Sequence, residues 1–330
     1  MQLLREQLRA AGARPRHETL ALRAWARGLP LDAFAQREDS WFPGSLKSAL
    51  PEIQAQFDTL VTVRAAHPAG DGSERLLLAL RDGQTIESVL LPGDGVCVST
   101  QVGCAVGCLF CMTGRDGLLR QLRSAEIVAQ VALARARRLI RRVVFMGMGE
   151  PAHNLDNVLD AIDLLGTEGD LATKNLVFST VGDRRVFERL PRSAVKPALA
   201  LSLHTTKADL RAQLLPRAPR IDPGELIALA DEYSQLTKYP TQYQWTLLEG
   251  VNDGDDELES IARLLAGKYA VMNFIPYNDV PGSGFRRPTW ERAAAMARYL
   301  HRRGVLTKLR RSAGQDVEAG CGQLRARALA

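Results

Sequence analysis

From about residue 85 onward, short apolar runs alternate with segments whose apolar residues recur at helical spacing. Residues 86–91, 96–100, 143–146, 176–180, 198–203, 242–248, 270–275 and 305–309 read as strands, being brief and rich in Val, Ile, Leu and Phe. Between them, 124–139, 157–165, 207–215, 223–236, 256–265 and 290–303 read as helices. Ser124 is a predicted N-cap with Glu126 in the first turn, and Gly304 ends the last helix. About six βα units in a row predict a parallel sheet covered by helices, either doubly wound or closed wholly or partly into a barrel.

The front of the chain differs. Residues 2–11 and 18–27 read as short amphipathic helices, and 46–60 as a third, interrupted at Pro51. Strands are predicted at 59–65 and 75–80, on either side of the polar turn Pro68-Ala-Gly-Asp-Gly-Ser73. We divide the chain into a small, mostly helical accessory domain (1–85), a core (86–311) and a C-terminal tail (312–330).

Polar residues cluster at the predicted C-terminal ends of the strands. They are the cysteine-rich loop after 100, Gly147-Met-Gly-Glu-Pro151, Ser179-Thr180, Ser202-Leu-His204 and Asn278. Each alone reads as an ordinary turn, and His204 as a hydrogen-bonded core histidine. Their shared position favours a barrel-like sheet with one active face, because active-site groups collect at that end of βα-barrels.

The densest chemical signal is Gln101-Val-Gly-Cys-Ala-Val-Gly-Cys-Leu-Phe-Cys111, which sets Cys104, Cys108 and Cys111 in a C-x3-C-x2-C pattern. Three thiolates this close suit three irons of a [4Fe–4S] cluster. With no fourth cysteine nearby, one iron is left open to a ligand. A structural zinc site needs four ligands, and half of that pattern is missing. Apolar packing does not explain three cysteines interleaved with glycine, and five cysteines in 330 residues are no extracellular disulfide framework.

The remaining features set bounds. The first residues carry no signal-peptide core, and no apolar run is long enough to span a bilayer, so a cytoplasmic protein is expected. The net charge of +6 is uneven. Residues 286–330 hold eleven Arg or Lys against three acids, giving +8 there and −2 elsewhere, and residues 115–142 hold eight Arg against two acids. Clustered cations suit a polyanionic partner; the alternative is an arginine-rich surface facing water.

Together these motifs resemble the radical S-adenosylmethionine (SAM) superfamily. More narrowly, they resemble the bacterial RNA adenine-C2 methyltransferases and their C8-methylating resistance relatives. The resemblance covers roughly residues 85–325. It is carried by Cys97-Val-Ser-Thr-Gln-Val-Gly-Cys104, Phe110-Cys-Met-Thr-Gly114, Met146-Gly-Met-Gly-Glu-Pro151, Ser202-Leu-His204, Gly250-Val-Asn-Asp253, Asn273-Phe-Ile-Pro-Tyr-Asn278 and Ala319-Gly-Cys-Gly-Gln-Leu324. The cysteine triplet marks the superfamily. Cys97, seven residues before the triplet, and the Cys-Gly-Gln-Leu run near the end mark the narrower group.

The resemblance implies a partial (β/α)6 barrel. Cys104, Cys108 and Cys111 would hold the cluster. SAM would bind among Gly149, Glu150, Ser179, Ser202, Leu203, His204 and Asn278, with Glu150 taking its amino group. Two SAM molecules would be used per turnover. Cys321 would accept a methyl from one, and a radical generated from the other would activate that methyl for addition to an adenine ring carbon, C2 expected. Cys97 would release the product through a transient disulfide with Cys321. Glu87 matches the proton acceptor, although three residues are missing between it and Cys97 relative to the family pattern. The implied partners are RNA, ribosomal or transfer, and a reductant such as flavodoxin or ferredoxin; a monomer and no membrane are expected. Two alternatives remain open: a radical SAM enzyme acting on a peptide or small molecule, and a non-catalytic metal-containing nucleic-acid-binding protein.

Overall fold

The computed structural model describes residues 1–35 and 41–326; residues 327–330 of the predicted tail, including Arg327, lie outside the described part. Three helices open the chain, α1 (Gln2–Ala10), α2 (Pro15–Ala26) and α3 (Gly44–Asp58). Four strands follow, β1 (Val61–Pro68), β2 (Glu74–Leu80), β3 (Thr85–Leu91) and β4 (Gly95–Cys97), then two small ones, β5 (Gln101–Gly103) and β6 (Leu118–Gln121). Helices and strands then alternate: α4 (Ser124–Arg137), β7 (Arg142–Phe145), α5 (Leu155–Thr167), β8 (Leu176–Thr180), α6 (Arg184–Arg189) and β9 (Ala198–Ser202). They continue with α7 (Ala208–Leu214), α8 (Pro223–Thr237), β10 (Thr241–Leu247), α9 (Asp255–Leu264), β11 (Ala270–Pro276), α10 (Trp290–Arg302) and β12 (Thr307–Leu309).

Ten strands form one sheet in the order β1-β2-β3-β4-β7-β8-β9-β10-β11-β12, while β5 and β6 pair separately. From β4 to β12 every pairing is parallel. The strands at the two ends of this order do not pair with each other, so the wall stays open and the predicted partial barrel is what forms. The central strands are covered on both faces, so they read as continuous apolar runs rather than alternating ones; all five residues of β8 are buried. The helices bury one stripe: in α5 it is Leu155, Val158, Leu159, Ile162 and Leu165. Phe145, Phe178, Tyr243, Trp245 and Phe274 are among the largest fully buried side chains of the core.

Several boundaries differ from expectation for identifiable reasons. Helix α3 runs straight through Pro51, because Leu46, Leu50, Ile53 and Phe57 bury one face on both sides of it. In α4 the capping position is Arg123, whose N–H donates to Glu126 Oε2 at 2.8 Å, and Ser124 is the first helical residue. The β5–β6 pair and α6 went unpredicted, being too short to show a period. The proposed division at residue 85 falls inside a continuous sheet, since β2 and β3 are in register from Glu74 opposite Leu90 to Ala79 opposite Thr85.

The arginines of 115–142 are largely used up inside the fold. Arg135 donates to the Ala26 carbonyl at 2.7 Å and to that of Gly169, tying α4 to the chain after α2. Arg137 pairs with Glu74 at 2.6 Å, Arg120 with Glu126 at 2.8 Å, and Arg138 donates to the Gly72 carbonyl. This segment is therefore a set of structural ties more than a free cationic surface.

Phe178 is fully buried at the centre of the parallel sheet. Phe178→Ala is expected to cost about 3–5 kcal/mol, read as a lower denaturant midpoint.

Candidate active site

The cysteine loop is the tip of the small β5–β6 pair. Gly103 makes its turn: φ is +77°, and a Cβ would sit 2.0 Å from the Gly117 carbonyl oxygen, so no other residue fits without moving the hairpin. The Cys104 N–H donates to that same carbonyl at 2.9 Å. Segment 214–217, at the end of α7, buttresses the loop, with Leu109 N–H donating to the Leu214 carbonyl and Arg217 N–H to that of Val106. Around the loop lies a small apolar cluster of its own, including Val106, Phe110, Met112, Val181, Leu215 and Tyr277.

Burial pushes the Cys104 thiol up to about 12, and it raises Cys108 and Cys111 as well, with repulsion from neighbouring thiolates adding at Cys104 and Cys108. Three acidic groups held in an apolar pocket this way are stabilised as thiolates by a bound cationic centre. Among the described residues, no three His, Cys, Asp or Glu are arranged to hold a single metal ion. Thiols spread around a loop suit a cluster, where each takes its own iron.

Beside the loop, the strand ends supply the predicted polar residues. Glu150 follows β7 and is buried. Its Oε1 accepts from Ala152 N–H at 3.0 Å and its Oε2 from Val181 N–H at 2.9 Å, while its own N–H donates to Gln101 Oε1 at 2.7 Å. Burial nevertheless raises its pKa, against these donors and the Thr180 hydroxyl. Gly149 beside it has φ +106°, and a Cβ there would lie 2.6 Å from the Gln101 side chain. Ser179 is the last residue but one of β8 and Ser202 ends β9, followed by buried Leu203 and His204. His204 adopts a left-handed φ of +63°, and its Nδ1 accepts from Thr246 N–H at 3.0 Å. Burial, helped by Arg211, lowers its pKa to about 3, so the imidazole is neutral, and its ring packs edge-on against Phe110 at 4.8 Å. Asn252, from the Gly250–Asp253 motif, holds this corner by donating to the His204 carbonyl at 2.7 Å.

Sequence reading missed Arg211, which is buried on α7 and donates to the Val181 and Ser202 carbonyls. Its Nε has no hydrogen-bond partner. Burial lowers its pKa to about 10, opposed by attraction to Cys108 and Glu150. A lone arginine seven residues after a histidine carries no sequence signal; only the fold turns it inward. A carboxylate and an unsatisfied guanidinium flanking a thiol loop fit a ligand that carries both an ammonium and a carboxylate, such as the amino-acid end of SAM.

The tail completes the site. Residues 312–326 return to the rim, where Met112 N–H donates to the Gly322 carbonyl at 2.7 Å and Thr113 Oγ1 to that of Leu324 at 2.7 Å. Asn278 Nδ2 donates to the Cys321 carbonyl at 3.0 Å and to Ser312 Oγ at 2.9 Å. Cys321 is exposed as a residue, yet the atoms packed around its sulfur raise the thiol, Cys111 adding to the rise and Arg310 opposing it. Buried Cys97, at the end of β4, is pushed up to about 12 by burial and then by Cys321, which puts the two sulfurs in one electrostatic neighbourhood. Glu87 is fully buried with Arg75 at 3.4 Å, and its Oε2 accepts from the tail N–H groups of Arg325 and Ala326 at 2.7 and 3.0 Å. Here Glu87 is an anchor for the tail.

An open parallel α/β barrel, with a three-thiol loop and a buried carboxylate at the strand ends, defines a class of cluster-bearing SAM enzymes. The sequence profile of the radical SAM superfamily matches residues 98–265, and the chain belongs to that superfamily. Membership implies a [4Fe–4S] cluster and SAM. The chain is 70% identical over 327 residues to a probable RNA methyltransferase of Aromatoleum aromaticum, covering 99% of this chain and 92% of that protein. It is 71% identical over 326 residues to one of Methylibium petroleiphilum, with the same coverage of 99% and 92%. A solved radical SAM methyltransferase from Sphaerobacter thermophilus superposes with a TM-score of 0.83 at 36% identity, covering 98% of this chain and 97% of that one. Streptococcus suis SuiB bound to S-adenosylmethionine shares the fold alone, at 12% identity and a TM-score of 0.50 over 89% of this chain and 66% of that one. No helix among the described residues is long and apolar enough to cross a membrane.

Because the folded pKa of His204 lies below the unfolded value of 6.5, its contribution to stability is complete above pH about 6.5 and drains away as pH falls toward about 3. His204→Gln should therefore lose less thermal stability than the wild type between pH 7 and pH 5, measured as melting midpoints of the two proteins.

Proposed function

We propose that the protein is a radical SAM RNA methyltransferase that adds a methyl carbon to an adenine ring, at C2, by way of a methyl group carried on Cys321. The observation that carries this reading is the return of the tail to the cysteine loop, which sets Cys321 beside Cys111 and within the electrostatic reach of Cys97. A cluster enzyme that only cleaved SAM would have no use for two further cysteines there.

Cys104, Cys108 and Cys111 would hold the cluster. Glu150 would take the amino group of SAM and Arg211 its carboxylate, with Gly149, Ser179, Ser202, Leu203, His204 and Asn278 lining the rest. When bound, the cluster and SAM supply a strongly oxidising carbon radical, and the protein's part is to place and shield it. The apolar cluster around Phe110 and Val181 keeps water out. Cys321, on an accessible tail, presents its sulfur first as methyl acceptor and then as the attachment point of the base. The Cys97 thiolate would attack that sulfur; the sulfur–methylene bond breaks with its electron pair going to the carbon, which takes up a proton to become the methyl of the released RNA, and a Cys97–Cys321 disulfide is left for an external reductant to open. Two SAM molecules per turnover, an electron donor of the flavodoxin or ferredoxin type, a ribosomal or transfer RNA substrate, a monomeric cytoplasmic enzyme, and an RNA-holding role for residues 1–85 belong to the same reading.

Incubation of the reconstituted protein with RNA, methyl-labelled SAM and reductant, followed by mass spectrometry of the nucleosides, tests it. The expected product is adenosine labelled on a ring carbon; 5′-deoxyadenosine without any labelled nucleoside would move the substrate away from RNA. Cys321→Ala is expected to abolish labelled product while iron content stays at the wild-type level, and undiminished product from that variant rules out the methyl-cysteine route. Cys97→Ala should accumulate a covalent RNA–protein species on a denaturing gel.

A further inference from the structure

Helix α10 and strand β12 form one outer edge of the barrel. Arg298, Arg302, Arg303, Lys308, Arg310 and Arg311 are all exposed there. No Asp or Glu lies between Glu291 and Asp316. Neighbouring cations behave differently: Arg286 and Arg292 are paired with Glu249 and Asp255. So do most of those of 115–142: Arg120, Arg135, Arg137 and Arg138 are spent on carboxylates and carbonyls, while Arg123 and Arg141 stay exposed. The α10–β12 stretch keeps six exposed cations with no acid among them.

Two of these cations lie over aromatic rings. The Arg303 guanidinium is 4.8 Å from the Tyr299 ring centre, and that of Arg311 is 5.9 Å from the ring of Trp290, which is half-exposed. The path they mark has a direction. Because β12 runs parallel to β11, α10 descends from the rim and β12 climbs back to it. Trp290 and Arg311 meet at the rim end, and the next residue, Ser312, shares the Asn278 side-chain amide with the Cys321 carbonyl. A helix of this length spans about 20 Å. Cations spaced along it suit a phosphate backbone, and arginine–aromatic stacks suit unpaired bases.

We propose that the α10–β12 edge is the surface on which single-stranded RNA docks, and that it leads the strand to Cys321 at the rim. This rests on the reading of the protein as an RNA methyltransferase and adds where the substrate lies.

The test compares wild type, the triple variant Arg302→Gln, Arg303→Gln, Arg311→Gln, and Arg137→Gln as a charge control outside the surface. Binding of a fluorescent single-stranded RNA is titrated over a range of salt. The triple variant should bind at least about tenfold more weakly at low salt, and its log K against log salt should be shallower by about 2, since each phosphate contact contributes a slope of about 0.7 on single strands. Arg137→Gln should bind within about twofold of wild type. Matching melting midpoints confirm that all three are folded. Wild-type RNA binding that the triple variant retains in full overturns the surface and leaves the methyltransferase reading standing. An equal loss in Arg137→Gln also overturns it, in favour of net charge. A wild type with no salt-dependent RNA affinity overturns both. Intact RNA binding with lost affinity for vesicles of anionic lipid reassigns the edge to a membrane surface.

Discussion

The site is organised around a carboxylate taken out of water. Glu150 stands at the end of β7, and a buried carboxylate is tolerated only when donors replace its hydration. Backbone N–H groups of Ala152 and Val181 do so, and the Glu150 N–H is held in turn by the Gln101 side chain. Those bonds join the ends of three separate strands. They also dictate Gly149, because the backbone must pass so close to Gln101 that a Cβ has no room. Burial still raises the carboxyl's pKa, so the group remains short of positive charge. An incoming ammonium answers that need, and Arg211 across the site, with an unpartnered Nε, answers a carboxylate.

The tail follows a different logic. It has almost no regular structure and is held by single bonds to many parts of the fold. Main-chain groups at 322–326 meet the cysteine loop, Glu87 and Thr113, and Asn278 reaches the Cys321 carbonyl. Farther back, Asp71 accepts from Gly314 N–H at 3.0 Å and Asp316 from Gly70 N–H at 2.9 Å, so the turn between β1 and β2 clasps the tail as well. Each bond is modest, contributing about 0.5–1.5 kcal/mol, and a segment fastened this way opens more easily than the sheet beneath it. The proposed role of Cys321, which meets first a small molecule and then a large one, would be well served by such an attachment. Glu87 belongs to this clasp in the closed arrangement. Its proposed part as proton acceptor requires the tail to release its carboxylate.

Arginine plays two roles in one chain, and composition alone does not separate them. In α4 the guanidinium groups bridge layers, because that helix is pressed between the sheet and the N-terminal helices, where carbonyls at helix ends need donors. On α10 Arg292 is tied to Asp255 in the same way, while Arg298 and Arg302 keep their charge in water.

Much of the architecture was legible in the chain. Strands β8 and β9 and helices α8 and α10 lay within a residue or two of expectation, because apolar period and a stop such as Gly304 are local signals. The cysteine spacing, Glu150 and the strand-end serines were visible too, since each sits in a short motif. The β5–β6 pair, α6 and the passage of α3 through Pro51 were not, because packing against distant residues decides them. By itself the sequence determined a run of parallel βα units with a thiol loop and polar groups at the strand ends: periodicity and spacing are properties of neighbouring residues. Only the tertiary structure decided that Arg211 turns into the site, that Glu87 clasps the tail, that Cys97 and Cys321 share a neighbourhood, and which arginines face solvent. Those outcomes depend on contacts across tens to hundreds of residues, and no local pattern encodes the burial and partnership that such contacts create.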